Sequence, residues 1–188
     1  MSFSDALQRH FDTFNQLGQL ETESRLLADQ IDQCFQQGGK LIFMGNGGSA
    51  ADSQHLAAEF VVRYKAERSP LAAIALTVDT SILTAHSNDY SYDSVFTRQV
   101  QALAKPEDLI IGISTSGNSA NVIDAIEAAK KIGSTTWAWT GSHGGKLLNI
   151  ADHLIRVPSD ETARIQEAHI FVGHWLCEEM DRRLTATA

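Results

Sequence analysis

The chain has 188 residues, enough for one domain with a sizeable core and hardly enough for two. Apolar residues make up 43% and charged residues 20%, and a formal charge of −8 without any basic run argues against direct binding of nucleic acid. No apolar run approaches the roughly 18 residues of a membrane helix, and the N-terminal "MSFSDALQRHFD" has charges but no apolar core, so neither signal peptide nor membrane anchor is expected.

From Phe3 to Gln37 the apolar residues Leu7, Phe11, Phe14, Leu26, Leu27, Ile31 and Phe35 fall at helical spacing. Gly18 interrupts the stretch, which predicts two helices, and Gly38-Gly39 suits the C-cap of the second. The run "KLIFMG" (40–45) then reads as a strand ending at glycine, followed by a helix from Ser49 to Lys65. "LAAIAL" (71–76) is a second run, before a polar, helix-like segment near Thr80–Thr84. "DLIIGIS" (108–114) is the clearest strand, and "SANVIDAIEAAKKIG" after it is a helix with a glycine stop. "TTWAWTG" (135–141) is a fourth run, before a short segment starting at "GGKLL". "HLIRVP" (153–158) is a fifth, before a long helix over 162–184.

Five short, mostly unbroken apolar runs alternating with helices predict a doubly wound α/β fold whose parallel sheet is buried on both faces. The N-terminal helices (1–37) and the long terminal helix pack outside it. The sequence shows no repeat or linker, and residues 1–188 read as a single domain with an α/β core and C-terminal helix over 38–184. Cys34 and Cys177 form no CxxC pair and read as two buried thiols of a cytoplasmic chain.

In open parallel sheets, ligands bind beyond the carboxyl ends of the strands. Two turns there are rich in small polar residues, "GNGGSAAD" (45–52) and "STSGNSANV" (114–122). The second suits phosphate: Ser114, Thr115, Ser116 and Ser119 offer hydroxyls, Gly117 lets the backbone approach, and the following helix presents its first amides. Four hydroxyls in six residues exceed what capping alone requires. The first turn lacks the third glycine of GxGxxG and the lysine of GxxxxGK[ST], so it reads either as a tight turn or as a weak nucleotide signal.

His55 and Glu59 share one face of the helix leaving the first turn, a spacing that suits metal ligands, a proton-transfer pair or a surface pair. The apolar neighbours Leu56, Ala57, Ala58 and Phe60 favour burial. On the terminal helix Gln166, Ile170 and His174 form one ridge, while Glu167 and His169 point elsewhere. Glutamine is an uncommon zinc ligand, so a satisfied core hydrogen bond competes with a metal there. His86, His143 and His153 have no partner at ligand spacing and read as structural.

Together "MGNGGSAADSQHLAAEFVVRY", "GISTSGNSANVIDAIEAAKKIG" and "RIQEAHIFVGHWLCEEMD" resemble the phosphoheptose isomerases of the sugar-isomerase (SIS) superfamily, from about Gly38 to Asp181, with "LTVDTSILTAHSNDY" also matching. The resemblance implies a flavodoxin-like five-stranded sheet and isomerisation of sedoheptulose 7-phosphate to D-glycero-D-manno-heptose 7-phosphate, on the way to bacterial surface heptose. It also implies a cytoplasmic homotetramer with active sites between subunits, and one zinc per subunit. Carried onto this chain, phosphate contacts fall on Ser114, Thr115, Ser116 and Ser119, and sugar contacts on Asn46, Gly47, Gly48, Asn88, Asp89 and Gln166. The implied metal ligands are His55, Glu59, Gln166 and His174, with Glu59 and His174 as the acid/base pair. Ala163 departs from the family, some of whose members carry an acidic residue there, which implies an altered rate or substrate orientation. Two other readings stay open: a non-catalytic partner of the replication initiator, in which His174 is expected to be lost, and an isomerase or sensor of another sugar phosphate.

Overall fold

The apolar runs form five strands, β1 (Leu41–Gly45), β2 (Ala73–Ala75), β3 (Leu109–Ile113), β4 (Thr135–Thr140) and β5 (His153–Arg156), in the computed structural model, which describes residues 2–185. They lie parallel in the order β2-β1-β3-β4-β5, the flavodoxin-like arrangement. Among the described residues seven α-helices accompany them: α1 (Phe3–Phe14), α2 (Glu21–Gln36), α3 (Gly48–Val61), α4 (Thr80–Asp89), α5 (Val95–Leu103), α6 (Ala120–Ile132) and α7 (Thr162–Thr185). Among the described residues no helix is long and apolar enough to cross a membrane.

Because strand side chains alternate, the sheet sorts its residues into two cores. Leu41, Phe43, Leu109, Ile111, Ile113, Trp137 and Trp139 face one side, packed with α2, α3 and α7 through residues such as Ile31, Phe60 and Val172. Ile42, Met44, Ile110 and Ala138 face the other, packed with α5 and α6 through Phe96, Val100, Val122 and Ile126. Both faces are covered, which is why the runs are unbroken rather than alternating. A Cβ on Gly112 would stand 2.7 Å from Val122 Cγ1, so this glycine lets α6 lie close on β3.

The N-terminal helices form as expected, with Gly18 inside a short 3₁₀ turn (Leu17–Leu20) between α1 and α2, and Gly38 in the left-handed region after α2. Cys34 and Cys177 are buried and free, and burial pushes their thiols up to about 11 and about 12. Three elements differ from the sequence reading. Residues 95–103, for which the sequence analysis gives no element, fold as α5 on the buried side chains Val95, Phe96 and Val100. The helix-like segment at Thr80 continues to Asp89, capped by the Asp79 carboxylate, which accepts from the Ile82 amide at 2.9 Å. α3 ends at Val61 instead of Lys65, because the Arg68 guanidinium takes the carbonyls of Glu59 and Phe60 that would continue it.

Candidate active site

Strand register brings the two small-residue turns together. β1 and β3 are neighbours with Gly45 opposite Ile113, so residues 46–48 and 114–119 leave the same edge at the same height. Their helices depart to opposite faces, α3 to one core and α6 to the other, which opens a crevice between the strands. The two turns are tied across it: the side-chain amides of Asn46 and Asn121 exchange two hydrogen bonds of 2.9 Å, and the Tyr92 hydroxyl donates to Asn46 Oδ1 at 2.9 Å.

In the second turn Ser114 is buried, and its Oγ lies 2.9 Å from Ser119 Oγ. Ser119 is the N-cap residue of α6, yet its side chain caps no amide, so the first turn of the helix keeps its amides and partial positive charge for another acceptor. The exposed Ser116 accepts from the Asn118 amide at 3.1 Å, and Asn118 Oδ1 accepts from the Lys146 amide at 3.0 Å. Gly117 has φ +67, and a Cβ there would collide with the Gly144 carbonyl. A cavity of about 250 Å³ opens beside this turn, lined by Thr115, Ser116, Asn118, Ser142, His143 and Asp160 among others. The turn itself offers an anion hydroxyls and the uncapped first amides of α6 in place of a lysine.

In the first turn, Gly47 (φ 57) opens α3 and Gly48 sits under the Gln166 side chain, with no room for a Cβ between them. α3 and α7 approach again at Gly173, where a Cβ would collide with the Leu56 side chain. Beside this contact His55 and His174 meet with their rings nearly perpendicular, Nε2 to Nε2 at 2.8 Å, with Glu59 Oε1 3.5 Å from His55 Nε2. A hydrogen bond between two ring nitrogens needs one proton donor and one acceptor, so at least one ring is neutral. Burial, then the neighbouring His55, holds His174 below the ordinary imidazole range, with Glu59 pulling the other way. The Tyr64 ring stacks on His174 at 5.4 Å and 22°.

Among the described residues no three His, Cys, Asp or Glu side chains are spaced to hold a metal ion as they stand. The donor chemistry of His55, Glu59, Gln166 and His174 nevertheless suits zinc: two imidazole nitrogens, a carboxylate and an amide oxygen from two adjacent helices. The two histidine nitrogens lie 2.8 Å apart where tetrahedral ligands stand roughly 3.3 Å apart, so the rings must part slightly to admit an ion.

The structure therefore brings His55, Glu59 and His174 together between α3 and α7, sets the Gln166 side chain against Gly48 where Asn46 and Gly47 lead into α3, and places Ser114, Thr115, Ser116 and Ser119 in the turn before α6. Asn88 and Asp89 end α4, where the Asn88 amide donates to Asp89 at 2.9 Å and not to Asn46. Glu167 pairs with Arg164 and His10, and His169 lies buried beneath Thr140, so both point away as expected. The sequence reading missed Asn121, Tyr92, Tyr64, Gly173 and Asp52. Only Asp52 had a readable signal: it shares a helical stripe with His55 and Glu59. One oxygen of its carboxylate is buried without a hydrogen-bond partner, and burial pushes the group up to about 6.

The chain is similar to known proteins in sequence and in fold. The sequence model of the SIS domain matches residues 3–141. The phosphoheptose isomerase of Roseiflexus sp. strain RS-1 is 55% identical over 168 residues, covering 88% of this chain and 85% of that protein. The structure of phosphoheptose isomerase GmhA from Neisseria gonorrhoeae superposes with a TM-score of 0.90 at 43% identity, covering 95% of this chain and 96% of that one. A phosphoheptose isomerase structure from Francisella tularensis gives 0.88 at 35% identity, covering 97% and 100%.

Proposed function

This chain belongs to the phosphoheptose isomerases of the SIS-domain family, sugar-phosphate isomerases of the aldose–ketose type, and on that premise we propose that it interconverts sedoheptulose 7-phosphate and D-glycero-D-manno-heptose 7-phosphate in the bacterial cytoplasm, for heptose-containing surface glycoconjugates. The observation that carries the reading is that α3, leaving the small-residue turn after β1, brings His55 and Glu59 to His174 of α7, while the Ser114–Ser119 turn leaves the neighbouring strand β3.

The substrate's phosphate sits against the hydroxyls of Ser114, Thr115, Ser116 and Ser119 and the first amides of α6. Binding energy gathered at this far end orients C1 and C2 at the other. Asn46, Gly47, Gly48, Asn88 and Asp89 line the sugar between them. Glu59 takes the C1 proton as a carboxylate, leaving an enediol(ate), and returns it to C2. His174 moves the proton between the C1 and C2 oxygens, and its depressed pKa keeps the ring neutral near pH 7, able to accept as well as donate. Each such acid/base step contributes about 10²–10⁴-fold. Zinc is the proposed metal, one per subunit, which His55, Glu59, Gln166 and His174 would hold; a group held tightly on the ion cannot also move a proton, so Glu59 and His174 act only with the ion loosely or transiently held. When bound it supplies Lewis-acid stabilisation of the developing oxyanion, worth several kcal/mol.

A homotetramer with active sites between subunits is the proposed assembly. Exposed apolar side chains on α1 and α7, Phe3, Phe11 and Phe171, support it, as does the apolar groove lined by Phe14, Leu17, Leu20, Phe171 and Trp175. A product-specific assay across heptose, hexose and N-acetylhexosamine phosphates tests the substrate. Turnover of sedoheptulose 7-phosphate well above the rest is the expected result, and preference for a hexose phosphate would reassign the enzyme.

A further inference from the structure

The early end of α3 has a buried cause. In a continued helix the carbonyls of Glu59 and Phe60 would accept from the amides of Arg63 and Tyr64. They accept instead from Arg68, whose Nη2 donates to Glu59 O at 2.8 Å and Nη1 to Phe60 O at 2.9 Å, with Ser69 O at 3.1 Å. Its Nε donates to Asp181 Oδ1 at 2.7 Å, and Asp181 Oδ2 accepts from the amides of Lys65 and Ala66, both at 2.8 Å. The two side chains are only 2% and 5% exposed. Removing such a pair from water consumes most of its attraction, so stability alone is a weak reason for this arrangement. Its geometric consequence is specific. The guanidinium holds the last turn of α3 at the backbone of Glu59. The turn after it carries Tyr64 onto the ring of His174. Asp181 anchors both to α7, on the face of His174 and two turns beyond it.

We propose that Arg68 and Asp181 are a positioning pair for the isomerisation: their buried bridge fixes the helix end at Glu59 and the Tyr64 stack on His174, and so sets the relative placement of the two proton-transferring groups. Neither residue touches substrate. The proposal rests on the reading of Glu59 and His174 as the acid/base pair.

The test compares the parent enzyme with Arg68→Met/Asp181→Leu, which replaces the pair by apolar side chains, and with Arg68→Lys, which keeps the buried charge but not the fork that spans two carbonyls. Steady-state kinetics with sedoheptulose 7-phosphate, the pH profile of kcat and the thermal midpoint are measured for each. Expected is a folded double variant with KM within about threefold and kcat lower by about tenfold or more, since small misplacements of reacting groups carry losses of that size. A displaced limb in its pH profile accompanies this loss, and Arg68→Lys falls between the two. A folded double variant with parental kcat and pH profile overturns the proposal. If the double variant does not fold, Arg68→Lys decides: lowered kcat at unchanged KM supports positioning, and parental kcat overturns it. Glu59→Gln, assayed alongside, separates the two readings. If it is inactive while the Arg68 variants keep parental kcat, the positioning proposal falls alone. If Glu59→Gln keeps parental turnover, the acid/base reading falls and this one with it.

Discussion

Gly173 of α7 packs directly on the Leu56 side chain of α3, without space for a Cβ, and the next residue on α7 is His174. This close contact of the two helices is thus one residue away from the histidine pair. Gly173→Ala should push the helices apart, lowering stability by about 1–3 kcal/mol through overpacking. It should lower kcat by at least about tenfold through displacement of His174 from His55. Thermal unfolding together with kcat measures both effects, and an alanine variant with parental kcat would show that the spacing is immaterial.

The hydroxyl of Ser119 pairs with Ser114 and caps no amide of α6. Ser119→Ala therefore removes no cap, and its cost to folding, about 1–3 kcal/mol, comes from leaving the buried Ser114 hydroxyl without its partner. If the hydroxyl meets the substrate phosphate, kcat/KM drops by roughly 10–100-fold, the loss of one hydrogen bond to a charged group. Kinetics and calorimetry on the same preparation separate binding from folding.

Asp52 gives a pH signature. Its carboxyl is raised to about 6 by burial, against the opposing pull of His55, from an unfolded value near ~4. The folded state thus holds a proton through a range in which the unfolded state has released it. The resulting stabilisation is fully present below about pH 4 and is lost as pH rises through about 6. Asp52→Asn removes this dependence. In metal-free protein it should unfold about 2–6 °C higher than the parent at pH 7.5, for a gain of about 1–2 kcal/mol after allowance for partial exposure, and equally at pH 4. A constant difference at both pH values would mean that the carboxyl titrates normally.

Phe171 lies half exposed on α7 beside the apolar groove formed with Phe14 and Leu17. Phe171→Glu places a charge on this face and should shift the proposed homotetramer toward smaller species. Light scattering during size-exclusion chromatography reads this directly. Loss of activity in step with dissociation is the outcome expected of sites shared between subunits.

Much of the fold was legible because the sheet is covered on both faces: a strand such as Leu109–Ile113, buried at every position, leaves an unbroken apolar run. The turns were legible from composition, since glycine and serine crowd the two positions where helices leave β1 and β3. What stayed hidden depends on partners distant in the chain. Asn121 looks like an ordinary helix residue until Asn46, 75 residues earlier, meets it across the crevice. The end of α3 is fixed by Arg68, whose own partner, Asp181, is 113 residues further on, so no local pattern marks it. Gly173 sits mid-helix, where local preference argues against glycine, and only contact with Leu56 explains it.

Glu59 as the group that moves the carbon-bound proton is the central claim, and solvent exchange tests it most directly. In deuterium oxide the parent enzyme should isomerise sedoheptulose 7-phosphate with deuterium entering the transferred position. Glu59→Gln should lose both isomerisation and label uptake by about 10²–10⁴-fold while remaining folded. A folded Glu59→Gln enzyme that still labels its substrate at the parental rate would contradict the assignment.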